Sequence, residues 1–214
     1  MTMTKPDLDG VAAELGAAVS PETRAAYRAR YNLAPTQRHV IICEDGDNRT
    51  LVAARWGLSS RGRVPMMINL RAERIRVGGY RALFESRRCL IPVDGFYEWT
   101  GSPGQRKPIR FHRPDGGLLY FAGVFEVDDV VADELPRFAV LTTAPNELVA
   151  PIHNRMPAVV APESVEEWLR SEAPSIKSLL GPAPIDLLVA SPASERANSA
   201  RNDDPTLFQA GATA

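Results

Sequence analysis

The chain has 214 residues, 44% of them hydrophobic, and a formal net charge of −1. That is enough chain for one well-buried domain and short for two. No apolar run reaches membrane-spanning length, and no basic N-terminal segment leads into an apolar stretch, so neither anchor nor signal peptide is expected.

Cys43 and Cys89 are far apart and lie in no metal-type spacing. Two thiols without a framework fit a reducing cytosol, and both read as small core residues. No metal or other cofactor is expected. The near-zero net charge hides an asymmetry. Lysine occurs three times, and from Arg61 to Arg88 the chain carries Arg61, Arg63, Arg71, Arg74, Arg76, Arg81, Arg87 and Arg88 against only Glu73 and Glu85. Arginine offers a planar fork that matches phosphate, so the cluster suggests one basic face. The alternative is a genome rich in Arg codons.

Residues 1–30 read as helical. Leu8, Val11, Ala12 and Leu15 keep amphipathic spacing, and Ser20-Pro21 caps a second helix through Arg30. Residues 31–37 are irregular, with Pro35 excluding helix. Residues 39–43 and 50–56 form a hairpin about the 44–48 turn. Trp56 at its end is core or a ligand platform. Residues 66–71 are extended, which puts Asn69 and Arg71 on one face. An Asn beside an Arg suits a polar ligand with a phosphate. Residues 79–85 are a short helix with Tyr80, Leu83 and Phe84 inward.

Residues 89–99 are the most informative stretch. An apolar entry, a Pro and an Asp-Gly turn signal lead into a short aromatic strand with Glu98 in its middle. Alternation separates Phe96 and Glu98 from Tyr97 and Trp99. A Glu among apolar neighbours is partly desolvated, so its pKa should rise, which suits a general acid or base. The alternative is a rim Glu on an ordinary strand.

Residues 108–113 and 118–127 read as a second hairpin about Asp115-Gly116-Gly117. Residues 137–143 are a buried strand, and 144–146 start a short helix leading to residues 151–157. There His153 and Arg155 share a face if extended. Of the three histidines, His153 has the most function-like setting, while His39 and His112 sit in strands and read as structural. Residues 162–171 form an amphipathic helix with Val165, Trp168 and Leu169 inward. A short helix ends near Gly181, residues 185–190 are a last strand, and the chain is polar and irregular from Ser191. Short strands with peripheral helices imply an α+β, mainly antiparallel sheet, curled or barrel-like.

Eight blocks in order resemble the SOS response-associated peptidase (SRAP) family. They are residues 31–37, Trp56-Gly57-Leu58, residues 69–73, residues 87–99, residues 121–126, residues 142–146, residues 153–157, and Arg201-Asn202-Asp203-Asp204. The resemblance implies one SRAP domain over 1–208 with a short tail at 209–214. It implies a monomeric, cytoplasmic partner of single-stranded DNA with abasic sites at replication forks, with no membrane partner. Members of that family expose an N-terminal Cys after Met removal. The α-amine of that Cys forms a Schiff base with the abasic aldehyde, and its thiol closes a thiazolidine. Carried onto this chain, the resemblance makes Asn69, Glu98 and His153 catalytic. Arg71 and Arg155 would grip phosphates. Pro35, Trp56 and Trp99 would stack on or wedge between bases, and Thr142 and Met156 complete the DNA-binding set.

The family opens Met-Cys-Gly-Arg, whereas this sequence opens Met1-Thr2-Met3-Thr4. Thr2-Met3-Thr4 resembles the continuation of the family's first strand. Either a Cys-bearing start lies upstream, or the chain is a non-covalent binder of single-stranded or junction DNA. An oxazolidine on Thr2 is a minor alternative. Neither Cys43 nor Cys89 can substitute, because the ring needs amine and thiol on one residue. A peptidase acting on other proteins is the third possibility, and no protein-substrate cleft is legible for it.

Overall fold

The computed structural model describes residues 1–59, 65–77, 79–127, 135–172 and 175–210. In chain order the helices are α1 (Asp9–Leu15), α2 (Pro21–Ala26), α3 (Arg81–Ser86) and α4 (Val165–Arg170). The strands are β1 (Ala18–Val19), β2 (Arg38–Asp45), β3 (Asn48–Trp56), β4 (Asn69–Arg71), β5 (Arg88–Val93) and β6 (Phe96–Thr100). They continue as β7 (Lys107–His112), β8 (Leu119–Glu126), β9 (Arg137–Thr143), β10 (Met156–Pro157), β11 (Val159–Val160) and β12 (Val189–Pro192).

The local signals act as their chemistry dictates. Leu8 and α1's Val11, Ala12 and Leu15 are buried, and Gly16 ends that helix in the left-handed conformation at φ 60°. The Ser20 hydroxyl accepts from the Thr23 amide at 3.1 Å, with Pro21 opening α2. That helix stops at Ala26 rather than Arg30, because Tyr27 is already extended at ψ 141°.

Among the described residues, nine strands form the main sheet, which runs β1-β3-β2-β5-β8-β9-β10 with β4 on β9 and β11 on β8. Most pairings are antiparallel, and β1–β3, β3–β9 and β4–β9 are parallel. Strand β3 pairs with β2 along its length and meets β9 at Arg55↔Arg137 and Trp56↔Phe138. The path of pairings is therefore ring-like, joined at that point by two residues only. A smaller sheet runs β12-β7-β6. The fold is α+β, with a mainly antiparallel sheet and peripheral helices.

Side-chain alternation splits the core in two. Ile42, Leu90, Tyr120 and Trp168 pack with α1, α3 and α4 on one face of the main sheet. Ile41, Ile91, Phe121 and Phe138 face the other way and meet Phe96 and Phe111 of the small sheet. Phe96 stacks on Phe111 at 5.1 Å and meets Phe121 edge-on at 5.7 Å. This second core opens into a cleft. A third, smaller cluster joins Tyr97, Ala193, Ala197 and Leu207.

Several expectations are corrected. Residues 108–113 and 118–127 are not a hairpin: β7 pairs with β6 and β12, whereas β8 pairs with β5, β9 and β11. The Asp115-Gly116-Gly117 turn carries the chain between sheets instead of folding it back. Residues 144–146 start no helix; Asn146 Oδ1 accepts from the Val149 amide at 3.0 Å and caps a run of turns. The last strand begins at Val189, after a 3₁₀ turn at Ile185–Leu187. Residues after Ser191 are more ordered in role than a polar tail, since Ala193, Ala197 and Leu207 are buried.

The Arg-rich stretch is not one basic face. Arg88 is buried and donates to the carbonyls of Phe84, Glu85, Trp168, Leu169 and Ser171, which fastens α3 and α4 to β5. Arg81 pairs with Glu85 one turn on, and Arg87 lies over the Phe125 ring. Arg61 and Arg63 lie outside the described residues.

Candidate DNA-binding cleft

The cleft has a volume of about 580 Å³ and lies where the second core meets the small sheet. All ten residues singled out from the sequence line it: Pro35, Trp56, Asn69, Arg71, Glu98, Trp99, Thr142, His153, Arg155 and Met156.

One wall comes from parallel pairing. Strand β4 lies beside β9 with Asn69 opposite Val140 and Arg71 opposite Thr142. Leu70 between them is buried, so Asn69 and Arg71 both face outward on one side. Thr142 Oγ1 donates to the Leu70 carbonyl at 3.3 Å. Arg155 follows from the loop before β10. It reaches the Thr142 carbonyl and forks onto Glu73, with Nη1 2.7 Å from Oε1 and Nη2 2.9 Å from Oε2. That fork holds the Glu73 carboxyl below its ordinary pKa. The Arg155 Nε is buried and has no hydrogen-bond partner.

Glu98 comes from the small sheet. The preceding turn is set by Asp94, which accepts from Thr2 Oγ1, Thr4 N and Thr4 Oγ1, each at 2.5 Å, and from Arg110 Nη2 at 3.0 Å. Burial pushes Asp94 up, but these donors outweigh it and keep the carboxyl below its ordinary pKa. Gly95 is required there, since a Cβ would lie 2.8 Å from the Phe111 carbonyl. Phe96 enters the core, and Glu98 lies two residues on along β6. Burial raises the Glu98 pKa, partly opposed by the charges of His153 and of the N-terminal amine.

His153 Nδ1 lies 3.8 Å from Glu98 Oε1. The same nitrogen is 2.9 Å from the Arg155 carbonyl and 3.1 Å from its amide. The Met1 amine also lines the cleft and donates to the Leu33 carbonyl at 2.9 Å. Burial lowers its pKa to about 5, against the pull of Glu98 and Asp94.

The aromatic rim is graded. Trp56 is 8% exposed, stacks on Phe138 at 6.4 Å and donates from Nε1 to the Ile68 carbonyl at 2.9 Å. Trp99 is 36% exposed and donates from Nε1 to Asn198 Oδ1 at 2.8 Å. Pro35 sits on a loop pinned by the C-terminal segment. Asp203 accepts from the amides of Tyr31 and Asn32, and Asn32 Nδ2 donates to the carbonyls of Ala197 and Ser199 at 3.1 Å each. Met156 is buried, and its Sδ accepts from the Asn146 amide at 3.2 Å.

Sequence reasoning missed Glu73, Asn198 and Asp203 as positioning groups. Each acts through a partner distant in sequence, so no local pattern marks it. Cys89 is a core residue as expected, whereas Cys43 is only partly buried at the edge of the core. Cys89 is fully buried, and burial pushes the Cys43 thiol up to about 11; neither lines the cleft. His39 and His112 are structural, bonded to the Pro92 carbonyl and Ser191 Oγ. Among the described residues, no group of His, Cys, Asp and Glu could hold a metal ion, and no helix is long and apolar enough to cross a membrane.

The chain is 35% identical over 199 residues to the abasic site processing protein YoqW of Bacillus subtilis, covering 86% of this chain and 87% of YoqW. It is 28% identical to the abasic site processing protein YedK of Escherichia coli, covering 67% and 65% of the two chains. A crystal structure from Bacteroides thetaiotaomicron shares the fold at a TM-score of 0.84 and 24% identity, with 98% of each chain covered. The model of the SOS response associated peptidase (SRAP) family matches residues 2–200. The chain therefore belongs to the SRAP family.

Proposed function

We propose that the cleft binds single-stranded DNA and processes abasic sites in it. The observation that carries this reading is the convergence of ten residues from separate segments around one cleft, with a desolvated carboxyl 3.8 Å from an imidazole. The relatives named above are abasic site processing proteins, and kinship with them supports the same activity here. An abasic nucleotide suits a cleft of this kind because no base must leave the stack, which otherwise costs a few kcal/mol.

In this reading Asn69 holds the sugar and the attacking amine. Glu98 and His153 move the protons of ring opening and Schiff-base formation. Arg71 and Arg155 hold flanking phosphates, while Pro35 and Trp99 contact the adjacent bases. Trp56 and Met156 form the floor, and Thr142 fixes Arg155. We take residues 1–208 as the working unit and the curled main sheet as barrel-like.

The covalent form of the chemistry adds a thiol to the same site. The amine of an N-terminal Cys condenses with the aldehyde and releases water, and its thiol then adds to the imine carbon to close the thiazolidine. A denaturing gel with abasic oligonucleotide tests the covalent step, using native protein whose N-terminus has been sequenced. A shifted band with an N-terminal Cys supports cross-linking. Reversible binding without a band, from protein shown to carry that Cys, contradicts it.

A further inference from the structure

We infer that the groove between α2 and the β2–β3 hairpin is a second nucleic-acid contact, which takes the phosphodiester backbone of the strand beyond the cleft. It rests on the reading of the cleft only for the strand it extends.

The groove has a volume of about 420 Å³, and Val40 and Ala53 are among the apolar residues lining it. Arg28, Arg30, Arg38 and Arg55 line it too, and no carboxylate does. Arg38 and Arg55 are direct cross-strand partners on the antiparallel pair. Like charges directly opposite each other destabilise a sheet, so this pair costs the fold something unless an anion sits between them. Neither has a carboxylate partner among the described residues. Arg55 spends one donor on the Thr36 carbonyl at 3.0 Å, and Arg28 rests on the carbonyls of Ala25 and Tyr27. Arg30 differs, because Asp203 and Gln37 already occupy it. Among the described residues, Arg28, Arg38 and Arg55 are thus left without a carboxylate partner around one groove.

The groove and the cleft share a wall. Ala34, Pro35 and Trp56 line the cleft, whereas Thr36, Gln37 and Arg55 line the groove. The ridge between them is held to the end of β3 from both sides: the Thr36 amide donates to the Trp56 carbonyl at 2.8 Å, and the Trp56 amide donates to the Gln37 carbonyl at 3.0 Å. Thr36 itself sits at φ 74°, a left-handed conformation rare for a β-branched residue and the kind of strain found at ligand sites. A strand leaving the cleft over Pro35 meets Arg38 and Arg55 next. Guanidinium forks recognise phosphate, and a phosphate row is the anion continuous with the cleft's own ligand.

The test measures binding of two abasic oligonucleotides, about 6 and about 16 nucleotides long, by fluorescence anisotropy across a salt series. Wild type is compared with Arg38→Glu/Arg55→Glu and with Arg81→Glu/Arg113→Glu, which makes the same charge change elsewhere. Arg38→Gln/Arg55→Gln, checked by circular dichroism, covers the case in which charge reversal unfolds the hairpin. The groove variants should weaken the long oligonucleotide about tenfold at low salt. They should also flatten its log K against log salt slope by about 1.4, the amount for two phosphates on a single strand. The short oligonucleotide should bind as before. Equal loss on both lengths, or no more loss than the control, overturns the proposal. If wild type shows no abasic preference on the short oligonucleotide, the reading of the cleft fails, and the same length comparison with unmodified DNA still decides the groove.

Discussion

His153 Nδ1 stands 3.8 Å from Glu98 Oε1, which joins the loop before β10 to the middle of β6 across the cleft. The main sheet and the small sheet meet at this point, and each side of the cleft contributes one titratable side chain.

Glu98 keeps its proton more tightly folded than unfolded, because burial raises its pKa above the ordinary 4.5. The native state then binds more protons in the window above 4.5, so stability falls as pH rises through it. Glu98→Gln removes that loss. It should raise the melting temperature more at roughly pH 8 than at roughly pH 4. The same change should slow abasic processing by about 10²-fold. Equal stabilisation at both pH values contradicts a raised carboxyl, and unchanged processing contradicts the acid/base role.

Arg155 is already engaged by Glu73, which accepts both of its terminal nitrogens. A phosphate that takes the fork must compete with that carboxylate. Glu73→Gln should therefore tighten single-stranded DNA several-fold at low salt. Arg155→Ala and Arg71→Ala should each weaken it and lower the salt slope by about 0.7. Weaker binding by Glu73→Gln would instead show that the carboxylate holds Arg155 in its productive position.

His39 is buried, donates to the Pro92 carbonyl from Nε2 at 2.8 Å, and is lowered by burial from 6.5 to about 4. The unfolded chain binds more protons between those values, so stability is complete above pH 6.5 and is lost as pH falls toward 4. The loss amounts to about 3 kcal/mol at the acid end. His39→Gln, which keeps a donor for Pro92, should flatten this acid limb in urea unfolding. An unchanged limb would place the acid sensitivity in other groups.

Short-range chemistry was legible in the sequence and long-range pairing was not. The Ser20-Pro21 cap, the β2–β3 hairpin and the alternation around Glu98 depend on neighbours within a few residues and formed as expected, although the hairpin turn is tighter than 44–48 because the strands pair out to Asp45 and Asn48. Strands β7 and β8 carry a turn signal between them but pair with other strands in two different sheets, a long-range choice that the turn residues do not encode. Arg88 reads as one of a basic cluster, yet three of its five carbonyl partners lie some eighty residues away, which no local pattern encodes. Strand alternation and residue type singled out Asn69, Arg71, Glu98, His153 and Arg155, and left Trp56 as core or platform; the family resemblance added Pro35, Trp99, Thr142 and Met156 and supplied the roles of all ten. Glu73, which holds Arg155, went unread for the same reason as Arg88.

The most direct test of the account compares affinities for two oligonucleotides of equal length, one intact and one with a single abasic site. Anisotropy at low salt reads the ratio, with Asn69→Ala as the control that removes the sugar contact. Wild type should prefer the abasic strand by about tenfold or more, from the unstacking cost avoided, and Asn69→Ala should lose most of that preference. Equal affinity for both strands by the wild type would contradict it.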